Sequence, residues 1–448
     1  MLSYCTMTRD LYKDGVDFAS LALHSADFAK FLKPNNQLDF TVPGATRQLT
    51  VSLLKRDFGL DVDIPEARLC PPVPNRLNYI LWLQDLLDTT GPGCHDAYDP
   101  ERVVTGLDIG TGCCSIYPLL GVKTRPSWNF IATDIDDENI KTSTETVKMN
   151  NLESRIRIMK TSADGDIIPL NTLGVESLDF TMCNPPFYSS QDEMVASAEE
   201  KDRPPFSACT GAEIEMVTPG GEVSFVFRMI TESIALREKV VWYTSMLGKL
   251  SSVSTLIENL IELGNRNYAV TEFVQGNKTR RWAIAWSWAD RRPAVSVARG
   301  IQSPNYPKHF LPFPSEYTFT LSGCSIDEIS SAINTELSSL HISWTWHSDL
   351  TMGIGFASTN VWSRQYRRMM KKITPGALDG KLEVNPDTAA LGFRVQLAKG
   401  SDAVETWGET RTEEKSVKIL VRWLKGMDSV LFESFCGMMK RKLERYRL

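Results

Sequence analysis

The sequence Asn184-Pro185-Pro186-Phe187 has the residue types and spacing best suited to chemistry on an amino group. An apolar run over 178–183 precedes it and predicts a buried strand, which two consecutive prolines must end because they fix φ and lack backbone donors. The Asn184 side-chain oxygen and the Pro185 carbonyl are then neighbouring acceptors. They can hold a planar –NH2 group while its nitrogen lone pair turns toward an electrophile, and Phe187 offers a ring on which an extruded base can stack. The other interpretation is a strand-ending turn without chemistry, because so short a motif is weak by itself.

A glycine-rich turn upstream supplies the second part of the predicted reaction centre. A predicted apolar strand runs into Gly110 and Gly112, and glycines between a strand and a helix let the backbone approach a nucleotide closely. Asp134 ends the next predicted strand about 20 residues later, where an acid holds ribose hydroxyls. Ser115 replaces the third glycine of the dinucleotide fingerprint, and the Gly-Lys-Ser/Thr ending of a phosphate-cradling loop is missing. Together with Asn184, the pattern predicts S-adenosylmethionine as donor of a methyl group to an amino nitrogen, and a hydride-transfer enzyme is the alternative.

Six blocks of sequence, in this order and spacing, resemble the methyltransferase-like protein sixteen family of adenosine-N6 RNA methyltransferases. Bacterial relatives of that family modify a large-subunit ribosomal RNA adenine. The resemblance extends over about residues 8–290, and its blocks occupy 68–80, 108–112, 183–187, 242–249, 271–276 and 281–287.

The resemblance implies a fold and an activity. The implied fold class is α/β: a Rossmann-like class I methyltransferase sheet with a helical N-terminal extension, plus a smaller C-terminal α+β RNA-binding domain. The implied reaction forms N6-methyladenosine in U6 small nuclear RNA, within an ACAGAGA-type box of a structured RNA. S-adenosyl-L-methionine is the expected cofactor, S-adenosyl-L-homocysteine its product, and no metal is expected. The expected location is the nucleus, with the cytoplasm as a second location.

The glycine turn and the resemblance together assign roles to individual residues. The predicted catalytic residues are Asn184, Pro185, Pro186 and Phe187. The predicted cofactor-binding residues are Arg76, Asp108, Gly110, Gly112, Cys114, Asp134, Asp164 and Asn184.

Three of these positions depart from the family pattern. Cys114 stands in place of a serine, so we expect a weaker side-chain hydrogen bond there. Asp134 replaces a glutamate and keeps the same chemistry with a shorter reach. Asp164 appears in place of a lysine, which argues against charge-based gating by its loop and places an acid where it can meet the adenine amino group of the cofactor.

The charge distribution favours RNA as the partner. The net charge is −6, yet residues 301–448 carry +3 and residues 1–300 carry −9, and bound phosphates respond to local clusters rather than to the total. The predicted RNA contacts are Arg9, Lys13, Arg203, Lys278, Arg280, Arg281, Arg367, Arg368 and Lys371. A solvated helix face is the alternative for each basic cluster.

Composition divides the chain into four predicted parts. Residues 1–74 form a helical, RNA-contacting extension, and residues 75–300 form the class I methyltransferase domain, whose sheet is expected to have seven strands, one of them antiparallel. Residues 301–315 contain four prolines and form a stiff linker. Residues 316–448 form the α+β RNA-binding domain.

Periodicity predicts the helices and strands of the outer parts. In the extension, helices are predicted over 17–32 and 46–58. In the last domain, strands are predicted over 317–321, 342–346, 352–356, 391–397, 404–410 and 417–424, and helices over 326–337, 360–373 and 428–446.

Composition also excludes several classes of protein. No apolar run approaches the roughly 18 residues of a membrane span, and the N-terminus lacks the apolar stretch of a secretory signal. The nine cysteines contain no Cys-x-x-Cys pair, so reduced thiols of the cytosol or nucleus are expected. We therefore expect no membrane association and no metal site.

Other substrates and one other class stay open at this stage. They are an adenine of ribosomal RNA, a glutamine side-chain amide in protein or an adenine in DNA, and an RNA-binding, splicing-associated protein with weak or lost catalysis. The basic last domain argues against a protein substrate. The intact motif at Asn184 argues against lost catalysis, whereas Cys114 leaves that alternative open.

Overall fold

The computed structural model describes residues 9, 11–199, 211–275, 279–372, 384–400 and 416–447. Their contacts divide the chain into two units. The first unit consists of Met1–Asp85, Tyr98–Ala289 and Gly300–Leu311, and the second of Leu86–Ala97, Asp290–Arg299 and Pro312–Leu448. Each unit is therefore assembled from more than one stretch of chain, and the domain boundaries predicted from composition stay predictions.

A sheet of eight strands forms the centre of the first unit, in the order β3-β2-β1-β4-β5-β7-β6-β8. Its strands are β1 (Val104–Ile109), β2 (Trp128–Asp134), β3 (Ile156–Lys160), β4 (Leu178–Cys183), β5 (Val240–Leu247), β6 (Tyr268–Gln275), β7 (Thr279–Trp286) and β8 (Arg299–Gly300). The first five strands pair in parallel, and β7 is antiparallel to both β5 and β6, as predicted. The predicted count of seven is wrong, because the two-residue strand β8 adds to the edge beside β6.

Of the described helices, four precede β1, and the others lie between the strands. They are α1 (Phe18–His24), α2 (Ala26–Ala29), α3 (Ala45–Phe58), α4 (Val73–Thr89), α5 (Ile116–Thr124), α6 (Asp137–Met149), α7 (Leu170–Leu173), α8 (Gln191–Glu199), α9 (Glu213–Met216), α10 (Gly221–Leu236), α11 (Leu250–Glu262) and α12 (Val295–Ala298). The helix predicted over 17–32 is divided at Ser25, which has extended backbone and whose hydroxyl caps α2 by accepting from the Phe28 N–H at 3.2 Å. The helix predicted over 46–58 is confirmed as α3.

Strand register brings the predicted motifs to one edge of the sheet. Ile109 of β1 pairs with Thr133 of β2 and with Cys183 of β4. Because the three strands are parallel, the segments that follow them leave the same carboxyl edge, where open α/β sheets bind ligands. Strands β1 and β4 also pack closely, since a Cβ atom on Gly106 would lie 2.2 Å from the Phe180 ring. Glycine is therefore required at 106.

Within its described residues, the second unit contains a five-stranded sheet with the order β10-β11-β12-β13-β9, in which every neighbouring pair is antiparallel. Its strands are β9 (Glu316–Ser322), β10 (Ser343–His347), β11 (Met352–Ala357), β12 (Leu391–Lys399) and β13 (Ser416–Lys425), and its helices after β9 are α13 (Ile326–Ser338), α14 (Arg364–Lys372) and α15 (Ser429–Leu443). The predicted α+β architecture is confirmed. The helix predicted from 360 begins at Arg364, and the strand predicted over 404–410 lies outside the described residues.

The core of the second unit is aromatic. The Trp423 ring stacks on Phe432 with centroids 5.3 Å apart, and Phe393 contacts Phe435 at 4.0 Å. In the part of the chain that the structure describes, no helix combines the length and apolarity needed to cross a membrane.

Candidate active site

A cavity of about 460 Å³ lies at the carboxyl edge of β1, β2 and β4. Nine of the predicted site residues line it: Arg76, Gly110, Gly112, Cys114, Asp134, Asp164, Asn184, Pro185 and Pro186. Among the described residues, Asp108 and Phe187 are the predicted catalytic or cofactor positions outside this lining. Five separate stretches of sequence therefore meet around one space.

The glycine turn after β1 presents its backbone to the cavity. Gly110 has a φ of 71° and Gly112 a φ of 68°, values that other residues adopt at a cost. The N–H groups of Gly110 and Thr111 both donate to the Thr133 carbonyl at 2.9 Å, which fixes the turn to β2. A Cβ atom added at either glycine would meet no other atom of the described residues within 4 Å. Open space therefore adjoins the backbone where a nucleoside can approach.

The carboxylate of Asp134 is held at the end of β2 by three donors. The Gly112 N–H donates to Oδ2 at 2.9 Å, the Asp136 N–H donates to Oδ1 at 3.0 Å, and the Asn139 amide reaches both oxygens at 3.4 Å. Each carboxylate oxygen can accept further hydrogen bonds. The side chain is thus oriented at the cavity wall to receive vicinal hydroxyls.

Asp108 supports the turn from behind. Its Oδ2 accepts from the Thr111 hydroxyl at 2.7 Å, and its Oδ1 is buried without a hydrogen-bond partner among the described residues. Burial, reinforced by the charge of Asp134, raises the pKa of Asp108 to about 7, while Thr111 and Arg76 oppose the shift. The position of this carboxyl makes it a support for the turn rather than part of the cavity wall.

Arg76 brings a cation to the cavity from α4. Its Nη1 donates to the Tyr117 hydroxyl at 2.9 Å, and its guanidinium carbon lies 5.4 Å from the centroid of the Tyr117 ring. Its Nε is buried without a partner in the described chain. A guanidinium fixed in this way can hold the carboxylate of a ligand.

Strand β4 ends at Cys183 and leaves Asn184 with an unused acceptor. The Asn184 Oδ1 atom is buried and has no hydrogen-bond partner within the described residues, an arrangement that costs roughly 1–3 kcal/mol. Pro185 beside it is buried and Pro186 is half-buried. An acceptor kept at that cost beside a cavity points to a donor on a ligand.

The Phe187 ring rests on glycine backbone next to a cation. A Cβ atom on Gly248, just after β5, would lie 3.1 Å from Phe187 Cδ1. The guanidinium carbon of Arg281 lies 5.2 Å from the ring centroid, within the range of a cation–π contact. The structure therefore brings together the predicted stacking residue and one predicted RNA contact.

One part of the cavity wall was not predicted from the sequence. Glu215 of α9 accepts from the backbone N–H groups of Leu69 and Ala212 at 3.0 and 2.9 Å, and burial raises its pKa. Leu69 and Glu215 both line the cavity. The resemblance block at 68–80 was a signal for the first of them, but nothing in the local pattern joins it to a glutamate 146 residues later.

Asp164 lies on an exposed loop that α10 holds on the C-terminal side of this residue. The Arg228 guanidinium donates to the Gly165 carbonyl at 3.0 Å, and the Glu232 carboxylate accepts from the backbone of 167–168 at 2.9 Å. Asp164 lines the cavity, and its contact with the adenine amino group of the cofactor stays a prediction.

Two adjacent thiols complete the wall. Cys113 and Cys114 are both buried, and the hydrogen bond between them, together with burial, raises the pKa of the Cys114 thiol well above its ordinary value. Cys114 is thus a neutral thiol. The expected weakening of a cofactor hydrogen bond at this position stays a prediction.

The predicted RNA contacts fall into distinct groups. Arg9 forms an ion pair with Asp85, and Arg280 forms one with Glu272. Lys13, Arg367 and Arg368 are exposed, and so are Arg9 and Arg280. Those outside the described residues are Arg203, Lys278 and, for its side chain, Lys371. Arg281 lies beside the Phe187 ring, and the contacts of all these residues with RNA stay predictions.

Known sequences resemble this chain over most of its length. Residues 2–290 match the model of a family described as RNA methyltransferase. A protein of Schizosaccharomyces pombe named U6 small nuclear RNA (adenine-(43)-N(6))-methyltransferase is 35% identical over 91% of this chain and 96% of its own length. The mouse protein named RNA N(6)-adenosine-methyltransferase METTL16 is 40% identical over 69% of this chain and 57% of its own length. The chain therefore spans nearly the whole fission yeast relative but little more than half of the mouse relative.

Solved structures show the same fold in the first unit. The hMettl16 catalytic domain in complex with MAT2A 3'UTR hairpin 1 matches 61% of this chain and 92% of its own with a TM-score of 0.53 and 39% identity. The N-terminal domain of human METTL16 in complex with SAH matches 63% of this chain and 98% of its own, with a TM-score of 0.52 and 39% identity.

Proposed function

Because this chain belongs to the RNA methyltransferase family, we propose that it transfers a methyl group from S-adenosylmethionine to N6 of an adenosine in U6 small nuclear RNA. The observation that carries this proposal is the buried Asn184 Oδ1 atom at the end of β4, which has no hydrogen-bond partner in the part of the chain that the structure describes. It shares one cavity with the glycine turn and with Asp134. An amine acceptor and a nucleoside site are thus next to each other.

The relatives support the choice of RNA. The fission yeast protein that aligns along nearly the entire chain is named for U6 small nuclear RNA. The human catalytic domain has been solved with an RNA hairpin and the N-terminal domain with SAH. An ACAGAGA-type box in a structured RNA is therefore the first substrate to test, ahead of ribosomal RNA.

The residues around the cavity fit the proposed cofactor. The backbone of Gly110 and Gly112 borders open space, the Asp134 carboxylate is held in place to accept ribose hydroxyls, and Arg76 supplies a cation for a carboxylate. When bound, S-adenosylmethionine supplies a methyl group on a positively charged sulfur, which an amine can attack.

The Asn-Pro-Pro-Phe loop holds and activates the target amine. Asn184 Oδ1 and the Pro185 carbonyl accept the two N6 hydrogens, so the amine is held by both hydrogens while its lone pair points away from the adenine plane. The two prolines keep these acceptors fixed, and such preorganised polar groups act without reorganisation during the reaction. Phe187 stacks on the extruded adenine. After transfer the nitrogen is cationic and loses its proton to solvent.

The proposal is tested with the full chain and a defined RNA. Purified protein is incubated with labelled S-adenosylmethionine and a hairpin that carries the ACAGAGA box, and the digested nucleosides are separated by mass spectrometry. We expect N6-methyladenosine at one adenine of the box and none in a matched hairpin with guanine at that position.

Three other results would contradict the proposal. Label in a ribosomal RNA fragment but not in the hairpin would favour the ribosomal substrate. Label in protein would favour the glutamine substrate. Hairpin binding without any label would favour an RNA-binding protein that has lost catalysis. A nuclear location follows from the proposed substrate and is itself a proposal, which microscopy of the tagged chain tests.

A further inference from the structure

A buried carboxylate lies next to the stacking ring and has no role in the chemistry described so far. Glu222, in the first turn of α10, is 3% exposed. Its Oε2 accepts from the Gly248 N–H at 2.6 Å, and its Oε1 accepts from the Lys249 N–H at 3.1 Å. Burying a carboxylate is costly unless such donors surround it, so this pair of hydrogen bonds identifies a built contact.

The two donors lie where α11 begins. Lys249 is the N-cap of that helix, and its own side chain forms no capping hydrogen bond. Helix N-termini leave N–H groups unpaired and favour a negative charge nearby. Glu222 supplies that charge from a different helix. It thereby fixes the path of the chain between the end of β5 and the start of α11.

Gly248 transmits this restraint to Phe187. A Cβ atom on Gly248 would lie 3.1 Å from Phe187 Cδ1 and 3.2 Å from Glu222 Oε2. A side chain at this position would therefore press against both the carboxylate and the ring. Any shift of the Gly248 backbone moves the surface on which the ring rests.

A second carboxylate ties the loop after Phe187 to the same turn. The Glu193 carboxylate accepts from the Ser189 N–H at 2.8 Å and pairs with the Lys249 ammonium at 2.8 Å. These contacts lower the pKa of Glu193 to about 2. Glu222 thus restrains the ring through Gly248, and Glu193 restrains the loop that follows the ring.

We propose that Glu222 is a positioning residue for the target adenine, because it holds Gly248 against Phe187 and so sets the place of the ring on which the base stacks. The inference rests on the proposed function, since it assumes that Phe187 receives an adenine. Among the described residues, neither Glu222 nor Gly248 lines the cavity assigned to the cofactor. The restraint therefore acts on the RNA side of the reaction.

The sharpest test adds one methyl group at Gly248. The backbone of Gly248 is not in the left-handed region, so Gly248→Ala tests space rather than backbone strain. The adenine is followed with a hairpin that carries 2-aminopurine at the target position, whose fluorescence reports stacking without requiring turnover. We expect Gly248→Ala to reduce the fluorescence change on binding and to lower kcat about tenfold, with cofactor affinity unchanged. Gly93→Ala is the matched control, because its added Cβ atom would be similarly close to a side chain, 3.2 Å from His95 Cδ2, outside the site.

A double-mutant cycle with Phe187→Ala separates positioning from a general effect on the fold. If the methyl group acts through the ring, Gly248→Ala has little further effect on the 2-aminopurine signal once the ring is gone, because residues in contact are not additive. Glu222→Gln, which keeps the volume and one acceptor oxygen, should show a smaller loss of the same kind than Glu222→Ala.

Two results would overturn the inference. One is additive loss in the cycle, and the other is a fall in cofactor affinity equal to the fall in kcat. Failure of the proposed function is seen separately, because the wild-type chain would then not methylate the hairpin at all.

Discussion

The two loops that form the reaction centre are built on opposite uses of the backbone. The turn after β1 depends on glycines with positive φ, so that the chain can approach a ligand closely. The loop after β4 depends on two prolines, which fix its carbonyls and remove donors. The first loop has its N–H groups partnered by Thr133 and Asp134, whereas no described residue donates to the acceptor of the second loop at Asn184. Cofactor binding needs close approach, while holding an amine needs acceptors whose direction does not change.

The largest effect is expected when the acceptor of the second loop, the Asn184 side-chain oxygen, is removed. Asn184→Ala should lower kcat by about 10²- to 10³-fold, the range for losing one preorganised polar group. Affinity for RNA should stay the same, and affinity for the cofactor should fall much less than kcat, because the glycine turn is untouched. Single-turnover methylation and filter binding measure these quantities. Asn171→Ala, at an exposed position of α7, is the control, and full activity in Asn184→Ala would remove the basis of the proposed function.

A substitution in the glycine turn should instead impair cofactor binding. Gly112→Val places a branched side chain at a φ of 68° beside open space, which costs about 1–2 kcal/mol in backbone strain alone. We expect the Kd for S-adenosylmethionine to rise at least about tenfold, with RNA affinity unchanged, by calorimetric titration. Gly174→Val carries a similar strain at a φ of 65° away from the cavity. An equal loss of cofactor affinity in that control would show that strain, and not the site, is responsible.

The support behind the glycine turn should appear in the pH dependence of stability. Burial raises the pKa of Asp108 from 3.8 to about 7, so the folded state favours the protonated carboxyl. Its contribution to stability is full below about pH 4 and is lost as the pH rises through 7. Asp108→Asn stays neutral. Between pH 4 and 8, the free energy of unfolding of the variant should therefore rise relative to that of the wild type by more than about 1 kcal/mol. Urea unfolding of the cofactor-free protein measures this change. Parallel pH profiles would contradict the buried, protonated state.

The smallest effect is expected at the second thiol of the turn. Cys114→Ser replaces a weak donor by a hydroxyl and should tighten cofactor binding about two- to threefold, the value of one modest hydrogen bond. Titration calorimetry measures the change. Weaker binding in the serine variant would show that the thiol fits this cavity better and that the departure from the family pattern is an adaptation.

Local chemistry made much of this site predictable. Glycines that need positive φ, prolines that end a strand and an acid at the end of the next strand are properties of short segments, so they are visible without a structure. The assignment of Arg76 depended on the family resemblance, because a single arginine in a helix has no signal of its own. The described strands and helices of the second unit were predictable for the same local reason, apart from shifts at their ends.

Contacts between distant segments were not predictable. Glu215 accepts a hydrogen bond from the Leu69 backbone, and Glu222 accepts one from the Gly248 backbone. The partners in each pair are far apart in sequence and belong to no periodic pattern. The eighth strand is only two residues long, too short for any alternation. The apolar spacing continues through Ser25, but the helix is interrupted there, where the Ser25 hydroxyl caps α2.

The sequence by itself determined which groups do the chemistry: an amide oxygen, a rigid carbonyl, a stacking ring and a flexible glycine backbone. Only the tertiary structure decided that they meet, through the pairing of Ile109 with Thr133 on one side and with Cys183 on the other. Each residue type acts through its own bonds and is therefore readable locally. Strand pairing is set by packing over the whole sheet, and no short segment encodes its neighbour.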